Sequence, residues 1–257
     1  MTPDVLVIGC GFTGRAVALL ARERGLRVLA TVRSEDHAAP LRGEGLDVLV
    51  TAAGPALAAH AGAGTHVVVT FPPDGATDAV LAPAIGATGA SIAYVSTTGV
   101  YGDGAVDDTT PVAPSPRNAA RLDGEAAWRA AGATVLRCPG IYGADRGLHV
   151  RIRRGEHRLP GDGSRFTSRI HVFDLAAHLL AARGVRGETF VVGDLAPASQ
   201  AEVCRWVAAR YGVPYPPSVP IEEVHETLRT DRRVDGSRAR ERLGVTLRYP
   251  TWREGMA

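Results

Sequence analysis

Apolar residues fall in short, nearly unbroken runs at 5–8, 27–32, 46–50, 66–70, 91–95, 133–138 and 188–192. Runs of this length read as strands, and their lack of polar alternation suits strands covered on both faces. Between them lie stretches with a helical apolar rhythm, at 16–24, 55–61, 77–85, 117–131, 174–183, 200–211 and 234–243. Strands alternating with helices imply right-handed crossovers and a parallel sheet. The pattern therefore predicts an α/β chain with a doubly wound parallel sheet. Residues 102–116, acidic and proline-rich, read as a loop over one edge of that sheet. Residues 215–220 read as an extended connector, and 249–255 as a tail packed on the C-terminal segments. No internal repeat is present.

Composition narrows the classes. The 257 residues suffice for one large domain with a sizeable core. A net charge of +2 argues for no nucleic-acid or membrane partner. No apolar run is long enough to span a bilayer, no signal peptide is recognisable, and a cytoplasmic location is expected. Cys10, Cys138 and Cys204 are scattered, which suggests neither a disulfide framework nor a metal cluster. His171 and His178 stand seven apart, not at the four-residue spacing of a helical metal pair, so no metal is expected. Lysine is absent, so all 29 cationic side chains are arginine. Schiff-base chemistry and any lysine of lowered pKa are thereby excluded.

The first strand runs directly into Gly9-x-Gly11-x-x-Gly14, and a helix follows at once. In this strand–turn–helix setting the motif is a dinucleotide-binding fingerprint. Gly9 permits the tight turn, Gly11 lets a pyrophosphate approach the main chain, and Gly14 lets helix and strand pack closely. The phosphates would rest on unpaired N–H groups at the helix start, around Phe12 and Thr13. Arg33 follows the second strand, nineteen residues beyond Gly14, where the ribose is read. With Ser34 it suits the 2′-phosphate of NADP(H); Asp36 nearby keeps NAD(H) open. Phe71 and Pro72 end the fourth strand, Ser96 and Thr97 the fifth, and Pro139 the sixth, all at the edge where a cofactor lies in such sheets.

Four motifs in order resemble the extended and atypical short-chain dehydrogenase/reductases of the epimerase/dehydratase type. They are the glycine motif, Tyr94-Val-Ser-Thr-Thr-Gly-Val-Tyr-Gly102, Leu136-Arg-Cys-Pro-Gly-Ile-Tyr-Gly143 and Arg169-Ile-His-Val-Phe-Asp174. The resemblance spans nearly the whole chain and implies a Rossmann fold with a small interleaved C-terminal substrate lobe. It implies a core of 1–143 joined by 169–194, and a lobe of 144–168 and 195–257. It assigns to Thr97 a role in orienting the reacting oxygen. Family dehydrogenases carry a Tyr-x-x-x-Lys dyad followed by a glutamate. Glu125 fits the glutamate, which places Arg121 at the lysine and Arg117 at the tyrosine, so the dyad is lacking. Arg121 would take over the ribose contact, and another hydroxyl, Tyr101 or Tyr142, would have to serve as acid.

Beyond Gly143 the chain turns basic, with Arg146, Arg151, Arg154, Arg158 and Arg169 among its cations. Together with Arg117, the forks of Arg146, Arg151 and Arg158 suit a carboxylate or phosphate on a small polar substrate. The expected function is an NAD(P)-dependent oxidoreductase or epimerase/dehydratase-like enzyme, monomeric or homodimeric. The alternative is an NADP(H)-binding sensor or scaffold without turnover.

Overall fold

A computed structural model describes residues 2–74 and 76–257. Five strands, β1 (Val5–Ile8), β2 (Val28–Val32), β3 (Asp47–Val50), β4 (His66–Val69) and β5 (Ser91–Thr97), join strands Thr134–Cys138 and Thr189–Val191 in one sheet. All pairings in it are parallel. The order is Thr189–Val191, Thr134–Cys138, β5, β4, β1, β2, β3. The chain therefore winds outward from β1 in both directions, and the switch between β1 and β4 opens a crevice at their C-terminal ends.

The continuous apolar runs have a direct structural cause. Val5 and Val7 point into one apolar cluster, while Leu6 and Ile8 point into another on the opposite face. The first cluster is covered by α1 (Phe12–Glu23), α2 (Glu35–Gly43) and, further along, α6 (Val172–Ala181). The second is covered by α3 (Thr77–Gly86) and α4 (Ala119–Ala130). Trp128 of α4 is fully buried there, and its indole N–H donates to Asp78 of α3 at 2.6 Å. A third cluster gathers Tyr142, Ile152 of α5 (Leu148–Arg153), Val203 and Val207 of α7 (Gln200–Tyr211), and Trp252 of a terminal turn of helix. This is the core of the small lobe, and Trp252 shows that the tail packs into it.

Three expectations change. Residues Pro55–His60 form a 3-10 helix, not an α-helix, with proline at its start. The loop over 102–116 contains a strand, Gly104–Val106, which pairs in parallel with Arg232–Val234. Val234 consequently belongs to that strand, and the last long helix begins only at Ser237. Gly236 marks the break: a Cβ there would stand 2.8 Å from the main-chain nitrogen of Gly193.

Candidate functional site

The glycine motif is held by close contacts. Gly9 has φ +88°, and a Cβ on it would meet Phe71 Cβ at 2.9 Å. A Cβ on Gly14 would meet the Gly9 carbonyl oxygen at 2.9 Å and Val7 Cγ1 at 3.0 Å. Gly11 has nothing within 4 Å and faces open space. Thr31 accepts from Gly9 N–H at 3.1 Å, and Thr70 donates to the Gly9 carbonyl, so both neighbouring strands pin the turn. Helix α1 starts at Gly11 without a side-chain cap and without an acid in its first turn. Its unpaired N–H groups and dipole are left for an anion.

Around this helix start lies a cavity of about 400 Å³, lined by Gly11, Phe12, Thr13, Phe71, Pro72, Ser96, Thr97, Arg121, Pro139 and Arg146 among others. Arg121 Nη1 donates to the Val95 carbonyl at 3.0 Å and to Tyr94 Oη at 3.2 Å, which fixes the guanidinium beside β5. Ser96 borders the cavity but donates its hydroxyl proton to Glu125 at 2.6 Å. Glu125 is fully buried and also binds Arg137 through both oxygens, at 3.0 and 2.6 Å. Burial alone would raise its pKa; the hydrogen bonds from Arg137 and Ser96 outweigh it and hold the carboxyl below its ordinary value. Glu125 thus ties α4 to β5 and its neighbouring strand and does not reach the cavity.

Arg33 lies outside this cavity, exposed, directly after β2. Ser34 shares a hydrogen bond of 2.8 Å with His37 Nδ1, so its hydroxyl is already engaged.

A second cavity of about 610 Å³ opens beside the first. Thr97, Pro139, Ile141 and Arg146 line both. Thr97 Oγ1 accepts from Gly99 N–H at 3.0 Å, which leaves its own proton free to donate. Arg146 sits with its guanidinium 5.0 Å from the centre of the Phe12 ring. Arg117 and Arg151 line the larger cavity, as do Arg154, Arg169, Arg232 and Gln200. Arg117 is engaged by Glu226 at 2.6 Å. Arg158 is not brought to either cavity; it donates to the carbonyls of Gly155 and His157, at 3.0 and 3.1 Å.

Neither tyrosine presents its hydroxyl to the cavities. Tyr101 is buried outside both, and its oxygen accepts from Arg137 Nη1 at 2.8 Å. Tyr142 borders the larger cavity with its ring, edge-on to His171, while its hydroxyl lies against Gly255 without a hydrogen-bond partner. Burial raises both phenols above their ordinary value. His171, buried at the start of α6, accepts from Phe173 N–H through Nδ1. Burial pushes its pKa down to about 4, so it stays neutral as a cap. Among the described residues no group of three His, Cys, Asp or Glu side chains could hold a metal ion, and no helix is long and apolar enough to cross a membrane.

Arg154 stood within the basic stretch without any local mark to single it out, and Arg169 opened the fourth motif without being named as a substrate ligand. Arg232 and Gln200 carried no signal at all, because only the return of the chain brings them to the cavity.

No family model matches the chain. A curated relative from a Streptomyces species, a 3-diazoavenalumate denitrifying reductase, is 28% identical over 98% of both chains. A functionally unknown conserved protein from Silicibacter pomeroyi is 31% identical over 98% of this chain and 95% of that one, with a TM-score of 0.85. A putative NAD-dependent epimerase/dehydratase from Methylobacillus flagellatus is 24% identical over 99% and 96%, with a TM-score of 0.77. The chain therefore belongs to the same family as the Silicibacter pomeroyi protein, and its fold is that of the extended short-chain dehydrogenase/reductases of the NAD-dependent epimerase/dehydratase type.

Proposed function

We propose that the protein is a nicotinamide-dependent reductase of a small anionic substrate. The observation that carries this reading is the shared wall of Thr97, Pro139, Ile141 and Arg146 between the two cavities. The start of α1 would hold the pyrophosphate of a dinucleotide, and the cofactor would supply hydride to a substrate at the shared wall. Thr97 donates a hydrogen bond to the substrate, and Arg121 binds the nicotinamide ribose. Arg33 reads the 2′-phosphate of NADP(H), the preferred cofactor.

The shared wall carries no carboxyl, imidazole, amine or phenolic hydroxyl among the described residues. Cys138 borders the smaller cavity, but burial raises its thiol far above the ordinary range. Such walls favour acceptors that need no proton from a side chain. The Streptomyces relative is named for a reduction that removes nitrogen from a diazo acid. A hydride that displaces dinitrogen from the carbon of a diazonium cation (R–N2+ + H− → R–H + N2) would consume no proton, and chemistry of that kind fits these walls. Nothing in the comparisons favours the sensor reading.

The test is cofactor oxidation across carboxylated carbonyl, imine and diazo compounds. Turnover of one class with NADPH supports the reading; tight NADPH binding with no turnover of any sinks it. Arg33→Asp should lower the NADPH-over-NADH preference by roughly tenfold, about 1.4 kcal/mol. An unchanged ratio would show that Arg33 does not touch the 2′-phosphate.

A further inference from the structure

Two polar side chains of the larger cavity have incomplete bonding. Arg169 is 6% exposed and lines that cavity. Its guanidinium donates to a single neighbour, Thr167, through Nη1 to the carbonyl at 3.1 Å and Nη2 to the hydroxyl at 2.6 Å. Among the described residues it has no ion-pair partner; Asp194 acts on it only through space, and burial lowers its pKa. A guanidinium nevertheless keeps its proton, so a buried positive charge is left with no carboxylate in contact. Gln200 is 1% exposed and lines the same cavity. Its Nε2 donates to the Leu228 carbonyl at 2.7 Å, which sets the amide orientation and leaves Oε1 buried without a partner.

The other arginines differ. Arg117 has Glu226, Arg151 and Arg154 are exposed and solvated, and the half-buried Arg232 donates to the main-chain carbonyls of Gly102 and Tyr101 at 2.8 and 2.6 Å. A buried cation without an anion and a buried acceptor without a donor both disfavour the unliganded state. One ligand satisfies both if it brings an oxyanion and, close to it, an O–H or N–H group.

We propose that Arg169 and Gln200 form the anchoring subsite of the larger cavity, which holds a carboxylate of the substrate together with an adjacent hydroxyl or amino group. The proposal rests on the larger cavity being the substrate's. The chemistry shared by carboxylate and phosphate is that of an oxyanion; one planar guanidinium with no carboxylate in contact matches the planar, singly charged carboxylate. Leu148, Val150 and Val234 on the same walls suit an apolar body behind it.

The experiment is titration of the NADPH-loaded protein with 3-hydroxybenzoate, its amide, benzoate and inorganic phosphate. Wild type should bind the acid roughly tenfold more tightly than the amide, and Arg169→Gln should abolish that preference. Arg158→Gln, outside the cavity, should keep it. Gln200→Leu should remove the advantage of 3-hydroxybenzoate over benzoate while benzoate itself still binds. An amide bound as well as the acid by wild type overturns the proposal, whether or not Arg169→Gln folds, and so does an acid affinity unchanged in that variant. Phosphate bound in preference to every carboxylate overturns the choice of carboxylate. Because the readout is binding, it stands apart from turnover. Failure of NADPH to bind in the same titration strikes the functional reading and leaves the anchor intact.

Discussion

The two cavities meet at one wall but are built by different means. The smaller one is made of main chain: a glycine turn, an uncapped helix start and the ends of three adjacent strands. The larger one is lined by side chains, six of them arginine, drawn from segments as distant in sequence as Thr97 and Arg232. A site of main-chain groups tolerates few changes of backbone and many of side chain; a site of side chains behaves the other way round. The first suits a cofactor common to many reactions, and the second a substrate particular to one.

Acid should break this comparison most strongly. Burial holds His157, His171 and His178 at about 4, against 6.5 for an unburied histidine. Between those values the unfolded chain binds more protons than the folded one, so stability is full above 6.5 and is lost as pH falls towards 4. Each shift corresponds to at most about 3 kcal/mol, an order-of-magnitude figure. Melting temperature should fall over that window, and His157→Leu should flatten the fall; equal slopes in both proteins would contradict this.

Gly14→Val comes next. The new side chain meets the Gly9 carbonyl and Val7, and overpacking of this kind costs about 1–3 kcal/mol. Thermal unfolding should show that loss together with abolished NADPH binding. Gly11→Ala sharpens the contrast, because its Cβ meets nothing in the protein. Its melting temperature should be unchanged while NADPH affinity drops roughly tenfold, about 1.4 kcal/mol. A wild-type affinity would place the pyrophosphate elsewhere. The smallest effect is expected at Ser34→Ala: with the hydroxyl engaged by His37, NADPH affinity should move less than about twofold.

The contrast also explains what the sequence revealed. Strand placement was legible because a parallel strand buried on both faces, such as Val5–Ile8, must be apolar throughout. The glycine motif was legible because a positive φ at Gly9 and contacts near 3 Å at both Gly9 and Gly14 leave no room for a side chain. Gln200 and Arg232 were not legible, since their roles depend on how remote segments return, and a lone polar residue in a helix or short strand carries no trace of that. Arg158 misled for the same reason: its fork is identical to that of Arg151, and only the local turn decides that it binds carbonyls. Tyr101 had a loop position beside a hydroxyl cluster, but the pairing of Gly104–Val106 with Arg232–Val234 closes over it.

Arg146 stands in both walls, stacked near Phe12 at the helix start and facing the larger cavity. On the proposed function, whichever ligand arrived first would fix this side chain for the second, which would then order one long cation fewer. Thermodynamic reciprocity makes the factor by which cofactor tightens substrate equal to the factor by which substrate tightens cofactor. Shortening that one side chain should uncouple the two affinities without removing either.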